Sequence, residues 1–351
     1  MGIKNLNKFI KDKYPESMIS IHLSSFAYKK VAIDISLYLF KYKAVCGENW
    51  LSAFINLITS LRRNDIHCVF IYDGKSPIEK EHEKQKRKDE KEKLEKNVFL
   101  LEEALENYHK TGIIDQILIN LYNRGRSTSK QSLLIHNKSV DIDWITDKIK
   151  QKKQQIIDIN PSDFEFTKKL FDILKVPYFS APWEAEKLCS KLCLDGLVDA
   201  VLSEDTDVIA YGTPIFLSKI DTLNDTAVAI ENEFLLSQMN FSQNQLLDLC
   251  IMSGTDYNDN ISKIGTVTAY KYIDKYKNIE NIPNIDTSIL KFKKSRELFT
   301  TFPDHNATYD IPYCGQPDWD LLQKFVTEHK LSIDINKLKK NFYREIIFED
   351  I

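Results

Sequence analysis

Three apolar stretches of this chain, each the length of a buried strand, end on an aspartate. They cover 31–34, 68–73 and 200–205 and finish at Asp34, Asp73 and Asp205. Since the carboxyl ends of parallel strands lie along one edge of a sheet, we expect these carboxylates to converge in one crevice. Converging carboxylates raise one another's pKa unless cations neutralise them. The pattern therefore predicts a cation-binding site at this edge.

A Glu-x-Glu and an Asp-x-Asp pair have spacings that suit the same site. Glu184 and Glu186 would diverge by about 200° on a regular helix, so they converge only if Glu184 lies in an irregular first turn after Pro182. Asp205 and Asp207 both face one ion if the chain stays extended past the strand end.

The predicted ligands supply oxygen atoms only. They are Asp34, Asp73, Glu184, Glu186, Asp205, Asp207 and Asp256. Without histidine or cysteine, such a set favours Mg²⁺ or Mn²⁺ over Zn²⁺. Two hard ions ~4 Å apart can activate a water molecule and stabilise both the attacking and the leaving oxygen of a phosphodiester. Any one of these acids alone is more often a helix cap or a surface charge, so the prediction depends on their coincidence.

The composition is that of an ordinary globular protein. The 351 residues are 43% hydrophobic with a formal net charge of −3, and acids gathered at a metal site would mask basic patches in that total. No stretch approaches the roughly 18 apolar residues that cross a bilayer. We expect buried thiols rather than a zinc site at Cys189 and Cys193, no membrane contact, and an intracellular, reducing location, nuclear or cytoplasmic, with a viral replication site left open.

The motifs together resemble the flap endonuclease family of structure-specific 5′ nucleases, the XPG-type superfamily. The resemblance covers roughly residues 1–80 and 160–351, and every metal carboxylate of the family has a match here. It implies that Asp34, Asp73, Glu184 and Glu186 centre on one Mg²⁺ ion and Asp205, Asp207 and Asp256 on a second, with Mn²⁺ as a substitute.

The fold implied is α/β: a central, mostly parallel twisted sheet with helices on both faces, a helical arch insertion and a C-terminal helix-turn-helix-type DNA-binding region. The expected boundaries are 1–78 and 161–255 for the nuclease core, 79–160 for the arch with an extra insertion, and 256–351 for a helical duplex-binding region. The interval between Asp73 and Glu184 exceeds the family pattern, so we expect additional helices between about 105 and 150.

The charged stretch that begins at Lys80 has two interpretations. By resemblance, Lys80 and Arg87 are the arch cations that face the scissile phosphate, and their separation of seven residues puts them on one helix face. The other interpretation is a solvated helix with pairs of opposite charge. Phe40 is likewise either a platform on which a base stacks or a core residue of the first helix, and Gly2 matches a residue whose backbone lies near the active site.

A second set of residues matches the family hairpin that grips duplex DNA. Its members are Lys263, Ile264, Gly265 and Thr266, with Lys271 or the cluster Lys291, Lys293, Lys294 and Arg296 as further phosphate contacts or as a plain surface charge run. Lys263 replaces the first hairpin glycine, and a left-handed backbone there costs ~1–2 kcal/mol, so the hairpin geometry and a bound K⁺ are open questions. Gly265 precedes a helix whose N-terminus would favour a phosphate.

The resemblance implies a flap endonuclease with 5′ exonuclease activity that acts as a monomer on branched or flapped duplex DNA. A Holliday-junction resolvase or 5′ exonuclease of the same superfamily, and a catalytically silent DNA-binding scaffold, are the alternatives. The chain ends at Ile351 without the family peptide that binds a sliding clamp, so recruitment through that peptide is not expected.

Overall fold

The computed structural model describes residues 2–126, 140–302 and 309–343. The chain divides into two compact units. The first comprises Met1–Tyr42, Glu48–Lys80 and Ile159–Ile351, and the second comprises Lys43–Gly47 and Glu81–Asp158. Thus the second unit occupies nearly the stretch expected for the insertion. Within the described ranges, no helix combines the length and apolar character that spanning a bilayer requires.

The first unit contains a mixed sheet, seven-stranded in the described residues. Its strands β1 to β7 are Ile19–His22, Lys30–Asp34, His67–Tyr72, Tyr178–Ser180, Ala200–Leu202, Ile215–Asp221 and Thr226–Glu231. Their spatial order is β1-β7-β6-β5-β2-β3-β4. Neighbours from β6 through β4 pair in parallel, whereas β7 pairs antiparallel with β1 and β6. The predicted α/β class with a mostly parallel sheet is confirmed, and the antiparallel edge is a feature that the sequence analysis missed.

Fifteen α-helices belong to the described residues. They are α1 Leu6–Lys13, α2 Ile35–Cys46, α3 Trp50–Arg63, α4 Glu81–Thr111, α5 Gln116–Arg126, α6 Ile142–Lys153, α7 Pro161–Leu174, α8 Ala185–Leu194, α9 Asp207–Ala210, α10 Asn232–Met239, α11 Gln243–Ser253, α12 Thr266–Tyr276, α13 Phe292–Thr300, α14 Trp319–Glu328 and α15 Ile335–Asn341.

Helices cover both faces of the sheet. Alternate residues of a strand point to opposite faces, so in β3 Phe70 contributes to one hydrophobic core and Ile71 to the other. The core with Ile71 includes side chains of α1, α8, α11 and α12, and the core with Phe70 includes side chains of α3, α7, α14 and α15. Because both faces are covered, polar side chains of the central strands emerge at the strand ends.

The C-terminal helices α14 and α15 contribute to the core of the nuclease sheet. Leu322 and Phe325 of α14 lie in the same hydrophobic core as Phe171 of α7. This part of the predicted duplex-binding region 256–351 therefore packs against the α/β sheet, since its apolar stripe covers that face. The last residues, 344–351, lie outside the described ranges.

The second unit is a small helical assembly. The helix α4 is 31 residues long, and its buried residues lie in its second half, at Val98, Leu101 and Ala104. Leu101, Leu118 and Ile145 join α4, α5 and α6 in one hydrophobic core. The extra helices expected between about 105 and 150 thus include α5 and α6, and residues 127–139 of that interval lie outside the described ranges.

Candidate active site

Four neighbouring parallel strands lead into the predicted ligands. Asp34 is the last residue of β2, Asp73 follows β3, and Asp205 lies three residues beyond the end of β5. The strand β2 pairs with β3 on one side and β5 on the other. Asp34 and Asp73 therefore emerge side by side, as expected from the strand ends.

Asp34 is a buried carboxylate in a strongly acidic environment. Its Oδ1 accepts a hydrogen bond from the Ser36 backbone N–H at 2.8 Å. Burial raises the pKa of Asp34 well above its ordinary value, and the charge on Asp73 raises that pKa further. A bound cation would oppose both effects, because a nearby positive charge favours the ionised carboxylate.

A backbone clamp brings Glu184 to Asp73. The Gly74 N–H donates to the Trp183 carbonyl at 2.7 Å, and the Ala185 N–H donates to Asp73 Oδ1 at 2.9 Å. A Cβ on Gly74 would lie 2.1 Å from the Ala181 carbonyl oxygen, so only glycine permits this approach. The Asp-Gly motif thus holds the segment after β4 against the end of β3.

Glu184 and Glu186 converge because they differ in backbone conformation. Glu184 is the N-cap of α8 with an extended backbone (φ −72°, ψ 142°), and Glu186 lies in the first helical turn. Both carboxylates approach the Lys80 ammonium, at 2.5 Å and 3.5 Å. Burial raises the pKa of Glu186 although the Lys80 charge opposes that shift. Glu184 therefore lies at the irregular start of α8, as the sequence analysis expected if the carboxylates of Glu184 and Glu186 were to converge.

The extended chain from Asp205 to Asp207 that the sequence analysis gave as a condition for both acids to face one ion is not present. Thr206 has a helical backbone (φ −78°, ψ −5°), and α9 begins at Asp207. The reason is local: Asp205 Oδ1 accepts the Asp207 backbone N–H at 2.9 Å, which stabilises a tight turn. The turn still keeps the two acids close. Burial is the larger cause that raises the pKa of Asp207, and the nearby charge on Asp205 raises that pKa further.

Asp207 has the most demanding environment of these acids. It is 1% exposed, and both of its carboxylate oxygens are buried without a hydrogen-bond partner among the described residues. Burying an ionised carboxylate without partners costs several kcal/mol, whereas binding a cation offsets that cost. The donor set and this unpartnered carboxylate therefore fit a hard divalent ion.

Lys80 lies among three of the carboxylates. Its Nζ is 3.4 Å from Asp256 Oδ2 in addition to its contacts with Glu184 and Glu186. Burial would lower the pKa of Lys80, but the surrounding carboxylates outweigh burial and raise that pKa above its usual value. In the part of the chain that the structure describes, no three acidic, histidine or cysteine side chains are arranged to hold a metal ion by themselves. Here the ammonium group supplies positive charge to the acids.

Two buried tyrosines belong to the same site, and the sequence analysis did not identify them. The Tyr257 hydroxyl donates to Glu184 Oε2 at 2.5 Å, and the Tyr211 hydroxyl lies 3.0 Å from that of Tyr257. Tyr257 could have been identified from the sequence, because it directly follows the predicted ligand Asp256. No sequence signal pointed to Tyr211, because its contact with Tyr257 depends on tertiary packing.

Gly2 lies against the acids, as its position in the motif implied. It has a φ of 78°, and a Cβ there would lie 2.0 Å from Asp205 Oδ1. Phe40 is 43% exposed, which disfavours the alternative of a core residue, and its role in base stacking stays a prediction.

The predicted hairpin has a left-handed residue at Lys263, with φ 65°. Gly265 is the N-cap of α12, and a Cβ at Gly265 would meet nothing within 4 Å. Thr266 is buried and donates from Oγ1 to the Lys4 carbonyl oxygen at 2.7 Å, so its side chain serves the fold. Ile264 is half-buried against the core on that face of the sheet.

The basic cluster divides into exposed lysines and a paired arginine. Lys271, Lys291 and Lys293 are exposed, and Lys294 pairs with Glu297 at 3.1 Å. Arg296 donates two hydrogen bonds to Asp248, at 2.6 and 2.7 Å, and two to Glu280 at the same distances. The expected phosphate contact of Arg296 is therefore disfavoured, because its donors already serve an internal ion-pair network.

Arg87 belongs to the second unit, on α4. Its Nε lies 3.4 Å from Glu83 one turn away, and both side chains are partly exposed. Its predicted role opposite the scissile phosphate stays a prediction.

The six cysteines form no disulfide in this structure. Five of them are buried thiols, including Cys189 and Cys193, and Cys46 is exposed. The burial of Cys189 and Cys193 agrees with the expectation of packed thiols.

Comparisons with known proteins place these residues in a family context. Family models for the XPG N-terminal domain and the XPG I-region match residues 1–94 and 175–256. The protein named Probable RAD2-like endonuclease 369L, from Invertebrate iridescent virus 6, is 31% identical over 97% of this chain and 92% of its own length. Flap endonuclease 1 of Cryptosporidium parvum is 31% identical over 99% of this chain and 70% of its own length.

A solved structure is similar in fold. The catalytic core of Rad2 in complex with DNA substrate has a TM-score of 0.65 at 17% identity, over 97% of this chain and 98% of the solved one. The predicted ligands Asp34 and Asp73 fall within the first family-model match, and the other five fall within the second.

Proposed function

The chain belongs to the XPG-type family of structure-specific 5′ nucleases, with flap endonuclease and RAD2-like relatives, and we propose that it is a Mg²⁺-dependent enzyme that hydrolyses DNA near the junction of duplex and 5′ single strand. The observation that carries the proposal is the gathering of acids at the ends of neighbouring strands, with the carboxylate of Asp207 buried and without a hydrogen-bond partner in the described part of the chain. Such a site needs a hard cation.

We assign the seven acids to two ions as the family pattern implies. Asp34, Asp73, Glu184 and Glu186 would hold one ion, and Asp205, Asp207 and Asp256 the other, with sharing between them. The Ala185 N–H that orients Asp73 and the Asp207 N–H that orients Asp205 support this assignment, because both fix a carboxylate oxygen in place. Divalent ions in such a site activate water and stabilise the charge that develops on phosphate oxygens.

Lys80 would exchange partners during this function. Its ammonium cannot keep three carboxylates as close partners while divalent cations bind the same oxygens, because like charges repel. Release from Glu184 would make the Lys80 ammonium available to a phosphate of the substrate, where it stabilises negative charge. Arg87 is the second candidate for this task, from the second unit.

Exposed lysines are the candidates for binding the duplex. We propose Lys263 of the hairpin with Lys271, Lys291, Lys293 and Lys294 as phosphate contacts, together with the backbone amides of Gly265 and Thr266 at the N-terminus of α12. Phe40 is the candidate for base stacking near the cut. Binding through such contacts depends on salt and not on sequence. A K⁺ ion at the hairpin remains part of the proposal, since Lys263 adopts the left-handed backbone despite its cost.

We further propose that the protein acts as a monomer on branched or flapped DNA, in a reducing compartment where DNA is replicated. The relative from an iridescent virus supports a viral replication site as one such place.

The test is cleavage of end-labelled flap, nicked, forked and four-way DNA by the purified protein, with Mg²⁺ and with EDTA. We expect Mg²⁺-dependent cutting of the flap near the junction and no cutting by Asp205→Asn. Faster cutting of the four-way junction would instead identify a resolvase. DNA binding without scission of any substrate, and unchanged in Asp205→Asn, would overturn the proposal in favour of a scaffold.

A further inference from the structure

We infer that Tyr257 is a positioning residue that holds the Glu184 carboxylate in the orientation in which it binds a divalent ion. The inference rests on the proposed metal-dependent function and adds a residue that does not itself ligate. Glu184 is 3% exposed, and its two oxygens have different partners: Oε1 faces the Lys80 ammonium and Oε2 accepts the Tyr257 hydroxyl. One oxygen therefore faces an exchangeable cation and the other a fixed donor.

The direction of the hydrogen bonds follows from the chemistry of the groups. An ionised carboxylate can only accept, so the Tyr257 hydroxyl must donate its single proton to Glu184. The contact of 3.0 Å between Tyr211 and Tyr257 must then run from the Tyr211 hydroxyl to the Tyr257 oxygen. The result is a chain of hydrogen bonds in which Tyr211 donates to Tyr257 and Tyr257 donates to Glu184. The chain ends at the Glu184 carboxylate, which accepts.

Both tyrosine rings are held in place by packing. Each contacts Phe299 of α13, with ring centroids 5.1 Å away for Tyr257 and 4.9 Å for Tyr211. The Tyr257 backbone N–H donates to Thr255 Oγ1 at 3.1 Å, which tightens the loop that also carries Asp256. A rigid donor restricts the rotation of Glu184 about its last torsion, so less conformational freedom is lost when a cation binds.

The same residues would also stabilise the fold if the tyrosine pair were only part of the core. The chain offers a matched control for that role. The hydroxyl of Tyr14 donates to that of Tyr270 at 2.7 Å, and Tyr270 is buried to a similar degree as Tyr257. Within the described ranges, neither residue of this control pair hydrogen-bonds to a predicted ligand.

The experiment is a calorimetric titration of Mn²⁺ into the full-length protein without DNA, comparing Tyr257→Phe, Tyr211→Phe and Tyr270→Phe with the native chain. Partners in the shell outside metal ligands typically contribute 10–100-fold to metal affinity. We expect Tyr257→Phe to raise the Kd for Mn²⁺ about 10-fold. Tyr211→Phe should have a smaller effect because the direct donor remains, and Tyr270→Phe should have none.

Thermal unfolding in EDTA separates positioning from folding. Similar losses of Tm for Tyr257→Phe and Tyr270→Phe, with weaker Mn²⁺ binding in Tyr257→Phe alone, would support the inference. Native-like Mn²⁺ affinity in Tyr257→Phe, or equal weakening in both variants, would overturn it. A native protein that binds Mn²⁺ with the expected dependence on Tyr257 but cuts no DNA would refute the proposed nuclease activity and leave the positioning role intact.

Discussion

The first half of α4 and the cluster of acids at the sheet edge contain the same charged residue types in opposite environments. On α4, Glu83 pairs with Lys86 at 3.5 Å and with Arg87 at 3.4 Å, and these side chains are 26–48% exposed. In the cluster, the side chain of Glu184 is 4% exposed and that of its partner Lys80 is 13% exposed. The charged residues of α4 are neighbours in the sequence. Those of the cluster are far apart in the sequence and become neighbours only when the chain folds.

The difference shows which property of charged residues indicates chemistry. Exposed ion pairs contribute about 0–1 kcal/mol, because water solvates both partners already. Buried charges cost several kcal/mol each unless partners or cations compensate. Buried charges are found where a cation or a substrate binds to them. Burial of charged side chains is therefore a stronger indicator of a functional site than the number of charged residues in a segment.

The largest expected effect comes from removing the unpartnered carboxylate. Asp207→Asn should lower kcat on the order of 10³-fold, a loss typical of an essential electrostatic group. Single-turnover cleavage of flap DNA measures the loss. The matched control is Glu90→Gln on α4, where Glu90 is exposed, and its cleavage rate should stay native. Equal losses in the two variants would remove the distinction between the regions.

Replacing the buried ammonium should be the next largest. Lys80→Met leaves Glu184, Glu186 and Asp256 without their counter-charge and should lower the free energy of unfolding by about 3 kcal/mol in EDTA. Urea unfolding measures this value. Mn²⁺ should restore part of the stability because the ion supplies the missing charge.

Lys84→Met is the corresponding change on α4, where Lys84 is exposed. It should alter the free energy of unfolding by no more than about 0.5 kcal/mol. A similar loss in the two lysine variants would contradict the interpretation of Lys80.

A pair of glycines sharpens the comparison within the first unit. Gly2→Ala forces a Cβ toward Asp205 and adds backbone strain, so we expect the cleavage rate to fall about 10-fold, equal to about 1.4 kcal/mol. Gly265→Ala has open space and no positive φ, and it keeps the backbone amide proposed as a phosphate contact, so its cleavage rate on saturating DNA should remain native and any effect should be confined to the Kd for DNA. If Gly265→Ala lowered the cleavage rate more than Gly2→Ala, the close approach of Gly2 to Asp205 would not be important for cleavage.

The smallest expected effect is on the exposed pairs themselves. Glu83→Gln removes both ion pairs of Glu83 and should cost no more than about 0.5 kcal/mol of unfolding free energy, since such helical pairs are weak. Raising the salt concentration should erase even that difference. A cost well above 1 kcal/mol would show that the charges of α4 are not simply solvated.

Strand ends were predictable from the sequence because the hydrophobic runs are continuous and parallel pairing places their ends together. That reasoning located Asp34 at the end of β2 and Asp73 directly after β3, whereas β5 ends at Leu202, three residues before Asp205. The glutamate spacing led to the N-cap position of Glu184. The turn at Asp207 was not predictable from strand geometry, because a side chain to backbone hydrogen bond from Asp205 outweighed extension.

Other features depend on partners that are distant in sequence. The Tyr211 to Tyr257 contact joins the residue after α9 to the loop after α11, and the pairing of Arg296 with Asp248 joins α13 to α11, so both arise only when distant segments pack together. The antiparallel pairing of β7 with β1 joins His22 to Thr226, 204 positions apart along the chain, and no local pattern signals it.

The N-terminal residues complete their contacts with segments that are synthesised late. Gly2 approaches Asp205, and the Lys4 N–H donates to the Gly254 carbonyl oxygen at 3.3 Å. A polypeptide still emerging from the ribosome therefore carries Asp34 and Asp73 long before Asp256 exists to join them. Interrupted translation products that end before Asp256 would lack one of the seven proposed ligands and would not form the complete proposed metal site.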